Sequence, residues 1–220
     1  MVVIPAYEAQ GTIRSLVQEI LALGLPVVVV DDASRDATSA QARAAGARVV
    51  RREVNGGKGA ALRDGFLEAQ KSGFDWIVTL DADGQHLARE IPQFFEACVD
   101  QKADLVLGNR MENPRRMPFE RRLTNTLMSW LLSKVTDQQI PDSQCGFRLI
   151  RTGLFKQVTL TCDRFEVESE LVVKAAWAGA RIHSIPVTSV YRRHLSFIRP
   201  IRDTVRFLRF LWRLKRQRPR

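Results

Sequence analysis

The sequence predicts an α/β protein with a mostly parallel sheet and helices on both faces. Two observations carry that expectation. Through the first half of the chain, short apolar β-rich runs alternate with longer stretches of helical periodicity, a rhythm that builds βαβ units. In addition, three of the apolar runs end in polar residues, where a parallel sheet offers its ligand crevice beyond the carboxyl ends of its strands.

In chain order, Val2–Pro5, Val27–Asp31, Ala47–Arg51, Trp76–Leu80 and Leu105–Gly108 read as strands. Between them Thr12–Leu23, Asp36–Ala45, Gly59–Lys71 and Ala88–Asp100 read as helices. After about residue 109 the rhythm breaks. Asn113–Pro118 is a basic loop, Arg121–Lys134 a helix, 140–149 a turn entering a strand, Glu168–Ala178 a helix, and 180–191 one or two further strands. No internal repeat or low-complexity linker interrupts the chain.

Composition limits the possibilities. A chain of 220 residues with 45% hydrophobic residues is one core-forming domain, or one domain with an appendage. Cys98, Cys145 and Cys162 are odd in number and lack C-x-x-C spacing, which argues against a disulfide framework or zinc site and for a reducing compartment. No basic region precedes the apolar residues of the N-terminus, so it does not read as a signal peptide. No apolar run is long enough to span a bilayer. The expected setting is the cytoplasm, soluble or peripheral on the inner face of the cell membrane.

Charge is distributed unevenly. Of 34 Lys and Arg, eleven lie in residues 192–220 with one acid, Asp203; residues 1–191 hold 23 bases and 23 acids. The chain is therefore read as a domain over residues 1–191 and a basic tail over 192–220. In the tail Ile198, Ile201, Val205, Leu208 and Trp212 recur at helical spacing. Arg199, Arg202, Arg206, Arg209, Arg213 and Arg216 follow one residue later, on an arc of roughly 100°. Phe207, Leu211 and Leu214 widen the apolar side. A basic amphipathic helix of this kind suits an anionic membrane surface. A helix packed on the body and a nucleic-acid-binding tail are the alternatives; no nucleic-acid partner is expected.

The chemistry concentrates at Asp81-Ala82-Asp83-Gly84-Gln85-His86, directly after the fourth strand. In an extended chain, side chains two apart point the same way, so Asp81 and Asp83 converge on one point. A divalent cation carrying substrate phosphates suits two such carboxylates; aspartates that merely follow a strand are the alternative. For Asp32 the alternative is a helix N-cap, a role also open to Ser34 and Asp36. Asn55-Gly56-Gly57-Lys58-Gly59 lacks P-loop spacing and reads as a turn into a helix, with Lys58 either assisting phosphates or simply solvated.

Seven segments in order carry a resemblance: Val3–Glu8, Val30–Thr38, Asn55–Leu62, Leu80–His86, Gly108–Arg110, Asp142–Arg148 and Phe165–Glu168. Together they resemble the family 2 glycosyltransferases of GT-A fold, and within them the dolichyl- and polyprenyl-phosphate sugar synthases. One departure is that Met1 stands only a residue or two before the first strand, which reads as a slightly shortened start. The resemblance implies a nucleotide-sugar donor held by Pro5, Ala6, Tyr7, Glu8, Asp31, Asp32, Lys58, Asp81, Ala82 and Asp83. It implies Mg²⁺ or Mn²⁺ on Asp81 and Asp83 with Gln85 nearby. It also implies a polyprenyl-phosphate acceptor met by Arg110, Arg116, Arg122 and Arg148, whose planar forks suit phosphate. Similar enzymes often carry C-terminal transmembrane helices; this chain reads as the peripheral type.

The expected catalytic residues are Asp83, Arg110 and Asp142. Asp142 has three open roles: base toward a hydroxyl, organiser of the arginines, or cap of a turn. A hydroxyl acceptor needs a general base, whereas a lipid phosphate, already ionised, needs positioning and charge compensation. Three functions follow: transfer to a lipid phosphate, transfer to a hydroxyl in glycan or glycolipid synthesis, or a non-catalytic nucleotide-sugar or membrane-binding module.

Overall fold

The computed structural model describes residues 1–112, 114, 117–190, 207 and 209–214. Seven strands, β1 (Val2–Ala6), β2 (Val27–Asp31), β3 (Arg48–Arg51), β4 (Trp76–Thr79), β5 (Leu105–Asn109), β6 (Arg148–Arg151) and β7 (Ile182–Pro186), form one sheet. Their order is β3-β2-β1-β4-β6-β5-β7. All neighbours run parallel except around β6, which is antiparallel to both β4 and β5. The long helices are α1 (Ile13–Ala22), α2 (Thr38–Ala44), α3 (Lys58–Lys71), α4 (Ile91–Gln101), α5 (Phe119–Thr136) and α6 (Glu166–Trp177).

Alternation along the strands divides the core into two layers. Val2 and Ile4 face a cluster completed by Ile13, Val17 and Ile20 of α1 and Phe94 of α4. Val3 faces the other way, toward Leu62 and Phe66 of α3, Met128 and Leu132 of α5, and Leu171 and Val172 of α6. Leu149 and Ile150 of β6 divide between the same two layers. Because both faces are covered, the central strands are continuous apolar runs.

Most elements stand where the sequence places them, and the differences have local causes. α2 starts at Thr38, not Asp36, because the Asp36 carboxylate accepts the N–H (2.9 Å) and hydroxyl (2.5 Å) of Thr38 and the N–H of Gln10 (3.1 Å). A 3-10 turn over Ala88–Glu90 precedes α4. The 180–191 segment holds one strand, β7. Nothing in the local pattern announces that β6 inserts between β4 and β5.

Of the tail, residues 207 and 209–214 are helical. Phe207, Phe210 and Leu214 are buried in the second cluster, while Arg209, Trp212 and Arg213 are exposed. The packing alternative thus accounts for one side of this stretch; the rest of the expected tail helix lies outside the described residues. Among the described residues, no helix is long and apolar enough to cross a membrane.

α3 lies against β1 so closely that a Cβ on Gly65 would collide with Val3 Cγ1. Alanine is the better helix former, yet Gly65→Ala is expected to lower stability by about 1–3 kcal/mol through overpacking, measured by urea unfolding.

Candidate functional site

β1 lies in the sheet between β2 and β4, and the chain crosses from one side of β1 to the other after β3. Such a switch in direction opens a crevice at the carboxyl ends of the strands. Ala6 pairs with Asp31 across β1 and β2, and Val3 with Thr79 across β1 and β4, which brings the three polar strand ends together.

The first two loops are laced to each other. Glu8 adopts a left-handed φ of 53°. Its N–H donates to Ser34 Oγ (2.9 Å) and its carboxylate accepts the Arg35 N–H (2.8 Å). Ala9 N–H donates to Thr38 Oγ1 (2.7 Å). Pro5 and Ala6 are buried in β1, while the Tyr7 ring is exposed.

The two aspartates after β2 do different work. Asp31 is buried, and its carboxylate turns inward to accept the Ser34 N–H (2.9 Å) and the Ser39 hydroxyl. This corrects the expectation that it holds the nucleotide: it shapes the loop before α2. Asp32 does not cap a helix. It clasps the glycine turn, accepting the N–H groups of Gly56 (2.9 Å) and Gly57 (2.7 Å) and lying 3.1 Å from Arg52 Nε.

That turn delivers Lys58 to the crevice. Gly57 has φ 89°, open to glycine at little cost, and a Cβ on Gly59 would strike the Cys162 carbonyl. Lys58 Nζ lies 2.5 Å from Asp81 and 2.9 Å from Glu168 of α6. With its side chain 16% exposed, Lys58 is no solvated lysine. Burial works against the ammonium, but Asp81 and Glu168 outweigh it and raise its pKa.

Asp81 rests against the backbone of Gly146, where a Cβ would stand 2.5 and 2.6 Å from its carboxylate oxygens. Thr79 Oγ1 donates to the Gly146 carbonyl (2.7 Å), fastening β4 to that turn. Burial alone would raise the Asp81 carboxyl; Lys58 outweighs it and holds it low. Asp83 is pushed up, first by burial and then by the Asp81 charge. Gln85 is tied through its main chain: its N–H donates to Asp83 (3.0 Å) and its carbonyl accepts the Val190 N–H (2.9 Å). The Ala82 carbonyl accepts the Thr12 hydroxyl (2.5 Å), joining this loop to the start of α1. Beneath it, the His86 ring lies tilted against Phe147, with His86 Nε2 3.8 Å from Cys145 Sγ. Burial lowers its pKa to about 4, and burial pushes the Cys145 thiol up to about 12.

Across the crevice, Arg110 follows β5. Asp142 accepts from its Nε (2.8 Å), Nη2 (3.0 Å) and N–H (3.0 Å), and also from Asn125 Nδ2 (2.8 Å) and the Gln144 N–H (3.2 Å). Burial would raise the Asp142 carboxyl, but Arg110 outweighs it and holds it below its usual range. Two of the three roles open to Asp142 are therefore visible: it organises an arginine and it caps a turn. A carboxylate so bonded and so weakly basic is unsuited to the third, that of general base.

Arg148 corrects another expectation. It is 1% exposed, and its guanidinium donates to the carbonyls of Cys145 (2.8 Å), Glu168 (2.6 Å) and Ser143 (2.9 Å). It pins the turn before β6 to α6 and is not presented to an acceptor. Arg122 is exposed on α5; Arg116 lies outside the described residues. Gly146 and Glu168 fall in the resembling segments with no role assigned by the sequence, and Thr12 and Asn125 go unremarked there; their parts in the site depend on tertiary approach.

A family model described as Glycosyl transferase family 2 matches residues 1–159. The undecaprenyl-phosphate mannosyltransferase of Micrococcus luteus is 30% identical over 76% of this chain and 72% of its own. The UDP-N-acetylglucosamine–dolichyl-phosphate N-acetylglucosaminyltransferase of Methanococcus voltae is 25% identical over 87% of this chain and 86% of its own. Among solved structures, glucosyl-3-phosphoglycerate synthase of Mycobacterium tuberculosis, in complex with Mn²⁺, UDP and glucosyl-3-phosphoglycerate, superposes with a TM-score of 0.70. That match is 21% identical and covers 94% of this chain and 75% of that one. The shared architecture is the GT-A fold.

Arg148→Met is expected to cost at least about 3 kcal/mol, since three buried carbonyls lose their donor; urea unfolding measures it. His86 is neutral in the fold and takes up a proton on unfolding below its ordinary pKa. Stability is therefore complete above about pH 6.5 and falls as pH drops toward 4. Between pH 7 and 5, His86→Gln should lose about 2 kcal/mol less than the parent, read from unfolding curves at the two pH values.

Proposed function

The chain belongs to glycosyl transferase family 2 and is a glycosyltransferase, and from that premise we propose that it moves a hexose from a nucleotide-diphosphate sugar to a polyprenyl phosphate at the cytoplasmic face of the membrane. The observation that carries this reading is the acceptor side of the crevice, which offers a cation where a hydroxyl acceptor would need a base. Asp142 is occupied by Arg110 and Asn125. An ionised phosphate requires no deprotonation: its oxygen attacks the anomeric carbon from the face opposite the diphosphate, the new C–O bond forms as the old one breaks, and the configuration inverts. Arg110, held in place by Asp142, compensates the phosphate charge.

On the donor side, the Pro5–Glu8 loop and Asp32 border the nucleoside, and Lys58 supplies a fixed positive charge near the diphosphate. Asp81 and Asp83 fit a divalent cation. Both are hard oxygen donors, the Asp83 carboxyl is raised partly by its neighbour's charge, and a bound cation would relieve that repulsion. Two carboxylates would leave further positions for diphosphate and water, as suits Mg²⁺ or Mn²⁺. Held by Asp81 and Asp83, such an ion would supply Lewis-acid neutralisation of charge on the departing nucleoside diphosphate. Gln85 contributes by orienting Asp83 through its N–H. Exposed Arg209, Trp212 and Arg213 fit a tail that touches an anionic membrane surface. The lipid-phosphate acceptors in the names of the two relatives agree with this reading.

The test is transfer by purified protein from UDP- and GDP-sugars, with Mg²⁺ or Mn²⁺, to undecaprenyl or dolichyl phosphate. Product should require both the lipid phosphate and the metal, and should fall about 10³-fold in Asp83→Asn and at least about 10²-fold in Arg110→Ala. Transfer that ignores lipid phosphate, or that Asp142→Asn abolishes while Arg110→Ala spares it, overturns the reading in favour of a hydroxyl acceptor.

A further inference from the structure

Lys58 serves two carboxylates that differ in what else they can do. Its Nζ lies 2.5 Å from Asp81 Oδ1 and 2.9 Å from Glu168 Oε1. The Asp81 side chain is 27% exposed at the crevice and belongs to the pair that fits a divalent cation. Glu168, 6% exposed, stands on the first turn of α6. Three residues before it, Phe165 turns its ring to the same ammonium, with 5.9 Å from Nζ to the ring centroid, within cation–π range. Residues three apart share a helix face, so the start of α6 presents one cradle of carboxylate and ring. The glycine turn has its amides committed elsewhere. Those of Gly56 and Gly57 donate to Asp32, and those of Gly59 and Ala60 to the Asp163 carbonyl (2.8 and 3.2 Å). The ammonium is therefore the charge this turn brings to a diphosphate, and its place matters.

We propose that Lys58 and a divalent cation compete for Asp81, and that Glu168 is a positioning residue that keeps the ammonium in the crevice when the cation takes Asp81. A carboxylate oxygen already 2.5 Å from an ammonium cannot also meet a metal ion without setting two cations against each other at short range. Linkage makes the effect reciprocal: what Lys58 takes from the metal's hold on Asp81, the metal takes from the hold of Lys58. Without the Glu168 carboxylate, an ammonium displaced from Asp81 loses the ion pair that offsets its burial and moves out to water. With it, Lys58 stays beside the diphosphate. This inference rests on the reading of Asp81 and Asp83 as a cation site; the identity of the acceptor does not enter it.

Two measurements on the full chain test it. Titration with Mn²⁺, followed by electron paramagnetic resonance, reads metal binding. Labelling by an amine-reactive ester with and without Mg²⁺, followed by mass spectrometry of the Lys58 peptide, reads where the ammonium is. In the parent, Lys58 should stay protected in both conditions. In Glu168→Gln and Glu168→Asp it should be protected without Mg²⁺ and label at least about tenfold faster with it. The aspartate variant keeps the charge and shortens the reach, so it separates position from field, and it carries the test if the glutamine variant does not fold. Mn²⁺ binding should weaken about tenfold in Glu168→Gln and recover in Lys58→Met/Glu168→Gln, where Asp81 has no rival cation. Exposure of Lys58 by Mg²⁺ in the parent overturns the proposal, as does parent-like labelling of Glu168→Asp. If the parent binds Mn²⁺ and Asp83→Asn does not, while labelling ignores Mg²⁺ in every protein, the cation site stands and this inference alone falls. A parent that binds no Mn²⁺ removes both.

Discussion

The site depends on one ammonium group. Asp81 and Glu168 are drawn into the protein from different elements, and a carboxylate taken out of water without a countercharge is costly. Lys58 meets both. To do so it must stand at the first position of α3, which requires the glycine turn before it and the close approach of Gly59 to the 162–164 backbone. Gly146 clears the space in which Asp81 lies. The end of β4, the start of α3, the start of α6 and the turn into β6 are thus registered against one another by a single cation.

The other wall of the crevice uses the opposite arrangement, one carboxylate gripping one arginine. Asp142 fixes Arg110 through two guanidinium nitrogens and the main chain, so the cation is held in one place. Preorganised charge of this kind avoids reorganisation at the moment of reaction. Because Asp142 is anchored by Asn125, the geometry of this wall is inherited from α5.

The parallel core was legible because strands covered on both faces must be continuously apolar, as Val27–Val30 are. The position of Asp81 and Asp83 just past a strand end was legible from the apolar run that precedes them. Asp31 was misread because a strand-terminal carboxylate looks the same in sequence whether it faces a ligand or, as here, its own loop. Arg148 was misread for a related reason: only the tertiary approach of Ser143, Cys145 and Glu168 converts an arginine near an acceptor loop into an internal tie. The antiparallel insertion of β6 likewise reflects long-range pairing with no local pattern to report it.

The margin of the sheet has its own significance. β3 is the outermost strand beside β2, four residues long, with Arg48 and Arg51 at its ends. A short edge guarded by cations is a poor template for another chain's backbone. That brevity and charge keep neighbouring molecules from zipping edge to edge into a shared, growing sheet.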